Sequence, residues 1–320
     1  MYSVQELKEI IEDGLKKIKL PKSPKNLYQP IEYTLELSAK RIRPLLLLMS
    51  FQLFNKDIKL AIPSALGIEL FHNFTLLHDD IMDNSDLRRG CSTVHKNWDI
   101  NTAILSGDAM LIYTYKYLLN TIKSDEVLKV FNENAIRVCE GQQLDMDFEQ
   151  ENNVSIEDYL KMIEYKTAVL LATSLKIGAI IGGASDQHAD NLFSFGKNIG
   201  IAFQLQDDLL DLYGNANSFG KKIGNDIIAN KKTFMYLKAL DIATTKQRDI
   251  LRNTFSNNDI NPDKKINIVS NIFNELDIKL HTKRLIQDYY ENSLSYLNRL
   301  DNIETSEIRN FITNLLERNK

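Results

Sequence analysis

Residues Glu69–Asp83 read ELFHNFTLLHDDIMD, an apolar run that ends in three aspartates, and Phe203–Asp211 read FQLQDDLLD, which ends the same way. No proline falls between Ser64 and Asn261, so nothing interrupts a helix through either stretch. At about 100° per residue, positions i and i+4 stand roughly 40° apart, so Asp79 shares a face with Asp83, and Asp207 with Asp211. Helical spacing continues outward in both directions. Leu7, Ile10, Ile11 and Leu15 near the start, and Val269, Ile272, Phe273 and Leu276 near the end, recur at threes and fours. Strand signals are scarce: no alternating run of β-branched residues is closed by Asn-Gly or Asp-Gly. The chain therefore predicts an all-α helical bundle. Without an internal repeat or a Ser/Gly/Pro linker, residues 1–320 read as a single domain.

Composition narrows the function classes. The 320 residues carry 39 Lys+Arg against 43 Asp+Glu, a net charge of −4, with 43% hydrophobic content. That excludes disorder and argues against a nucleic-acid partner, so any phosphate recognition must come from local basic clusters. Cys91 and Cys139 form no CxxC pair, which argues against a disulfide framework and a thiolate zinc site and fits a reducing, cytoplasmic setting. The N-terminus lacks a secretory signal. Ala168–Ala184 is apolar but short of the ~20 residues of a membrane span and carries Lys176 in its middle, so it reads as a buried helix.

Two copies of one acidic spacing invite one explanation. Like charges at i,i+4 cost a helix roughly 0.2 to 0.5 kcal/mol each, and both triplets follow apolar segments that belong in a core. A divalent cation removes the repulsion, and hard oxygen ligands favour Mg²⁺, completed by water and substrate phosphate. The plain alternative is two solvated acidic faces. Zinc is the weaker reading, because His72 and His78 stand six apart and share no face. Cations for a diphosphate occur in KRIRP (Lys40 to Pro44), DLRRG (Asp86 to Gly90) and the set Lys221, Lys222, Lys231 and Lys232. The stretch Tyr213 to Gly224, YGNANSFGKKIG, is a loop by composition.

Taken together, ELFHNFTLLHDDIMDNSDLRRG, FQLQDDLLDLYG and GKKIGNDIIANKKT resemble the trans-isoprenyl diphosphate synthases of the polyprenyl synthetase family, over Lys40 to about Thr233. The resemblance implies an all-α bundle around a deep central cavity, a homodimer, and two aspartate motifs facing each other across the cavity mouth. It implies that Asp79, Asp83 and Asp207 ligate Mg²⁺ directly, three ions per site, with Asp80, Asp208 and Asp211 in supporting roles. Arg88, Lys166, Lys231 and either Lys221 or Lys222 would hold an allylic diphosphate. Lys40, Arg43, His72 and Arg89 match the pocket for isopentenyl diphosphate. Thr167 and Gln204 match positions beside the reacting carbons, and Gln142 with Asp145 a supporting motif. Two departures stand out: Ser38-Ala39 where the family has Gly-Gly, and Cys91-Ser92 where a basic-Pro pair is common.

The implied reaction ionises an allylic diphosphate, adds the cation to the isopentenyl double bond and excludes water. The Tyr213–Gly224 loop is then a lid. Phe74 and Phe71 precede Asp79 by five and eight residues, about one and two turns down the helix, where the growing tail would go. Phe74 is the expected floor. An aromatic there resembles short-chain enzymes, so a farnesyl (C15) to geranylgeranyl (C20) product is expected. The rivals are a terpene cyclase, which has no use for a second diphosphate pocket, and a non-catalytic partner subunit, which could lose its acids.

Overall fold

Helix starts in this computed structural model follow the caps that the sequence supplies. Ser3 with Glu6, Ser155 with Asp158 and Thr244 with Gln247 close capping boxes, Asp99 and Asn261 cap alone, and Pro63 and Pro262 sit in first turns. The structure describes residues 1–151, 153–214, 224–257 and 259–317. In chain order it contains α1 (Val4–Lys16), α2 (Lys25–Glu36), α3 (Ile42–Gln52), a 3₁₀ turn (Ile58–Leu60) and α4 (Ile62–Met82). A hairpin of β1 (Leu87–Arg88) and β2 (Cys91–Ser92) comes next, then α5 (Val94–Asn97), α6 (Ile100–Leu119), α7 (Ser124–Gln150) and α8 (Ile156–Ile163). A π-helical turn (Glu164–Ala168) leads into α9 (Val169–Gly182) and α10 (Asp186–Tyr213). The remainder is α11 (Asn225–Ile228), α12 (Phe234–Ile242), α13 (Thr245–Ser256), α14 (Pro262–Glu275), α15 (Ile278–Leu297) and α16 (Ser306–Leu316).

The all-α expectation holds, with one addition. The hairpin pairs Leu87 with Ser92 and Arg88 with Cys91 around a two-residue turn in which Arg89 (φ 54°) and Gly90 (φ 78°) are both left-handed. Such a turn matches the twist of paired strands, and glycine enters that region at little cost.

By contacts the chain divides into two units. The first comprises Met1–Asn134, Leu171–Phe193 and Arg299–Ile308. In it α3 is buried almost all round, Leu45 to Met49 and Phe51 being core residues, and α4 packs along α6. Arg41 starts α3 in a left-handed conformation (φ 50°) and is itself buried. Its guanidinium donates to Glu12 (2.9 Å), to Glu69 (2.7 Å) and to the carbonyls of Leu35 (2.6 Å) and Leu37 (3.2 Å), which ties α1, α4 and the end of α2 together.

The second unit comprises Ala135–Leu170, Ser194–Asn298 and Arg309–Lys320. Its core joins Tyr159, Met162 and Ile163 of α8, Ile201, Leu205 and Leu209 of α10, and Phe234, Leu251, Val269 and Phe273 farther on. The sequence beyond Thr233, uninformative about chemistry, thus builds much of this core.

The apolar segment read as Ala168–Ala184 belongs to a longer helical run. Ile156–Gly182 spans 27 residues, long and apolar enough to cross a membrane by length and composition, and 78% of its most apolar window is buried inside the protein. Burial of that kind marks a core helix, as the lysine in its middle suggested.

Candidate active site

Each unit carries one aspartate triplet, and each triplet sits at the C-terminal end of a long helix. Asp79 and Asp80 occupy the last turn of α4, and Asp83 caps it, its N–H bonding Asp79 O at 2.8 Å. Asp207, Asp208 and Asp211 lie in the last two turns of α10. Neither helix has a basic residue in its last turn. The helix dipole places negative charge at this end, so carboxylates here oppose it. The arrangement is adverse to each helix alone and suits capture of a cation.

In the first unit the hairpin brings Arg88 to the triplet. Its guanidinium donates to Asp80 Oδ1 from Nε (2.9 Å) and Nη2 (2.5 Å), and to Asp79 Oδ2 (3.3 Å). Burial pushes the Asp80 carboxyl up although Arg88 pulls it down. Asp83 is exposed. His78 Nε2 donates to the carbonyl of Ile104 at 3.1 Å, which occupies that imidazole within the fold.

Of the residues matched to an isopentenyl diphosphate pocket, Arg43 and Arg89 lie near His72. Arg43 Nη1 lies 3.0 Å from His72 Nε2, and because arginine can only donate, Nε2 accepts and the ring proton resides on Nδ1. Burial, reinforced by Arg43, Arg89, Arg88 and Arg41, holds the His72 pKa well below its ordinary value, so the ring is neutral. Lys40 lies in the same turn before α3. Neither Ser38 nor Ala39 takes a positive φ, so the Gly-Gly of the family is not needed for this backbone; Arg41 is the left-handed residue. Likewise Cys91 and Ser92 are ordinary strand residues, and Ser92 O accepts from Tyr33 Oη at 2.7 Å. Phe74 is half-buried, 5.6 Å from Phe71 and 4.8 Å from His78 between ring centroids, whereas Phe71 is fully buried against Phe131.

In the second unit the π turn carries Lys166 and Thr167. Lys166 Nζ pairs with Asp145 Oδ2 at 2.5 Å. Thr167 Oγ1 donates to Gln204 Oε1 (3.0 Å), and Gln204 Nε2 donates to Asp208 Oδ1 (2.9 Å). Tyr159 Oη donates to the other oxygen of Asp208. Asp208 is buried, and burial, with Asp226 adding repulsion, pushes its pKa up to about 7. Asp207 is exposed, and Asp211 Oδ2 accepts the N–H of Asp226 at 3.0 Å. Gln142 is half-buried on α7. Lys232 Nζ caps the end of α7 through the carbonyls of Phe148 (2.5 Å) and Glu149 (3.2 Å). Lys231 N–H bonds Asp226 O at 2.9 Å. Lys221 and Lys222, with residues 215–223 of the expected lid, lie outside the described residues.

The structure thus joins Arg88 to Asp79 and Asp80, Arg43 to His72, Lys166 to Asp145, and Thr167 through Gln204 to Asp208. Sequence reasoning missed three participants. Arg41, inside KRIRP, is a structural tie. Tyr159 has no motif around it, and its partner is 49 residues away. Asp226 stood in plain view between two lysine pairs.

Among the described residues no three His, Cys, Asp or Glu side chains converge on one point. The candidate donors are carboxylate oxygens. Such a set fits Mg²⁺, which takes one or two protein carboxylates and keeps water and phosphate oxygens in its remaining positions.

An acidic helix end in each unit, an arginine cluster around a neutral histidine and a Lys-Thr π turn stand in an all-α fold. The chain belongs to the polyprenyl synthetase family, which it matches over residues 24–272. It is 38% identical over 259 residues to a geranylfarnesyl diphosphate synthase of Natronomonas pharaonis, covering 75% of this chain and 76% of that protein. It is 39% identical over 223 residues to a geranylgeranyl diphosphate synthase of Methanosarcina mazei, covering 68% of each. A crystal structure of a geranylgeranyl pyrophosphate synthase superposes with a TM-score of 0.94 at 40% identity over 99% of both chains. The family resemblance read from the sequence, the all-α fold and the trans-prenyltransferase class agree with these relatives.

Proposed function

We propose that this prenyltransferase joins an allylic diphosphate (dimethylallyl, geranyl or farnesyl) head-to-tail to isopentenyl diphosphate, giving an all-trans C15 to C20 prenyl diphosphate and free diphosphate. The observation that carries this reading is the placing of both aspartate triplets at helix C-termini, in a chain with two separate basic groups. Asp79, Asp83 and Asp207 would hold Mg²⁺ directly, three ions per site, with Asp80, Asp208 and Asp211 supporting them. Bound Mg²⁺ would neutralise the charge that collects on the departing diphosphate.

The chain's own residues supply the rest. Arg88, Lys166 and Lys231 bind the allylic diphosphate, Arg88 and Lys166 exchanging their aspartate partners for phosphate oxygens of similar geometry. Arg43, His72, Arg89 and Lys40 bind isopentenyl diphosphate. His72 stays neutral, so positive charge there comes from the arginines. Thr167 spends its one proton on Gln204 and can offer a ligand only lone pairs, which suits a carbon bearing developing positive charge. Phe74 limits the product.

The reading extends to a homodimer. Ile104, Leu105, Ile112 and Leu119 are exposed large apolar side chains that fall within about a 100° arc of α6, opposite its buried face. An apolar stripe of this kind, interrupted by the exposed Asp108, suits a second copy. A cytoplasmic setting is supported by the two unpaired cysteines.

Purified protein with Mg²⁺, isopentenyl diphosphate and each of the three primers tests the proposal by mass spectrometry of the products. C15 to C20 diphosphates that require isopentenyl diphosphate are expected. Consumption of primer without isopentenyl diphosphate would overturn the reading in favour of a cyclase, and no turnover except on adding a partner synthase would point to a non-catalytic subunit.

A further inference from the structure

The π turn is wider than an α-helical turn and is sustained only where its surroundings admit the extra residue. Here the room is made by two glycines, one on each flanking helix. A Cβ added at Gly141 of α7 would lie 2.2 Å from Lys166 N and 2.6 Å from Tyr165 C. One added at Gly200 of α10 would lie 2.4 Å from Ala168 Cα and 2.5 Å from Ala168 Cβ. No side chain fits at such distances, so both helix backbones press on the turn.

The same two helices also supply its polar partners, each one turn farther along. Asp145, which takes Lys166 Nζ, is four residues after Gly141; Gln204, which takes Thr167 Oγ1, is four residues after Gly200. Residues four apart share a helix face. Each flanking helix therefore presents a small contact and a polar contact to the turn, one above the other.

We propose that Gly141 and Gly200 are positioning residues: as a two-sided notch they fix the register of the π turn, and so the places of Lys166 Nζ and Thr167 Oγ1. A Cβ on either side would push the turn off that helix and separate one polar pair. The inference rests on the proposed prenyl transfer, in which Lys166 binds the allylic diphosphate and Thr167 faces the reacting carbons.

The test compares Gly141→Ala and Gly200→Ala with Gly178→Ala, whose added Cβ would meet Leu47 O at 2.1 Å, an equally tight helix contact without a π turn. All three are expected to melt at lower temperature. Below the transition, Gly141→Ala and Gly200→Ala should lose about 100-fold in kcat and raise the KM for the allylic substrate, with the KM for isopentenyl diphosphate within about twofold. Gly178→Ala should keep kcat and both KM values within about twofold of the parent. If Gly141→Ala and Gly200→Ala differ from the parent only in melting temperature, as Gly178→Ala does, the notch has no positioning role. Should the alanine variants not fold, deletion of Tyr165 removes the extra residue directly. A helical, folded product without activity is expected, and one with parental kcat overturns the proposal. A crystal structure of Gly141→Ala gives a readout independent of turnover: an intact Lys166–Asp145 pair there also overturns it. An inactive parent chain, by contrast, would sink the proposed function while leaving that structural test in force.

Discussion

The two aspartate triplets share one spacing and one position at a helix end, yet their central carboxylates are satisfied by opposite means. Asp80 meets a cation, Arg88, delivered by the hairpin. Asp208 meets two neutral donors, Tyr159 and Gln204, and a further acid, Asp226, close enough to repel it. Arg88 favours the ionised form of Asp80, and Tyr159 and Gln204 favour that of Asp208, but burial outweighs the donors at both, and at Asp208 the repulsion from Asp226 adds to it. The central carboxyl of each triplet is thus raised by burial, opposed by a cation at Asp80 and reinforced by a second acid at Asp208, whose pKa reaches about 7. The flanking members Asp79, Asp83 and Asp207 are the ones proposed above as direct ligands.

The largest effect tests whether the triplets are equivalent in function despite this difference. Asp79→Ala and Asp207→Ala are each expected to lower kcat by about 100- to 1000-fold, the scale of removing one electrostatic stabiliser of a transition state. Steady-state kinetics at saturating Mg²⁺ would break the comparison if only one of the two mattered. Next in size is stability. Asp80→Asn leaves the half-buried Arg88 guanidinium with only the longer contact to Asp79 (3.3 Å) as a charged partner and should cost about 1 to 3 kcal/mol in urea unfolding. Asp208→Asn should fall within about 1 kcal/mol of the parent near pH 7, because the asparagine oxygen can accept from Gln204 while its NH₂ donates to the Tyr159 hydroxyl. Equal losses would remove the distinction.

A pH series sharpens it. With the Asp208 carboxyl at about 7 in the folded chain against 3.8 ordinarily, the folded state holds a proton that the unfolded state has released between those values. Stability from this group is therefore fullest below about pH 4 and declines as pH rises through about 7. Melting curves in EDTA should show that decline in the parent and a flatter profile in Asp208→Asn; identical slopes would count against a raised Asp208. The smallest effect concerns product length. Phe74→Ala should shift the mass distribution towards longer prenyl chains with little change in turnover, and an unchanged distribution would reject Phe74 as the floor.

Much of this was readable from residue spacing, for reasons that are local. Leu7, Ile11 and Leu15 are buried on one face of α1, as are Val269, Ile272 and Phe273 on α14, because a 3.6-residue period needs no knowledge of the partner. The triplets were legible because i and i+4 meet on any helix. What escaped depends on distant or backbone-determined features. The hairpin hid because an arginine, not an asparagine or aspartate, opens its left-handed turn. Arg41 looked like one more phosphate ligand, and only the fold brings Glu12 and Glu69 around it. Tyr159 gives no sign in its own neighbourhood of the carboxylate that it will meet.

The position of the acids against the helix dipole has an implication for engineering. Replacing Asp83, exposed at the C-terminal cap of α4, by lysine would suit the helix dipole better than the native residue does. A selection for heat resistance alone would therefore tend to erase an acid proposed to hold the metal, and such a library needs activity scored in every round.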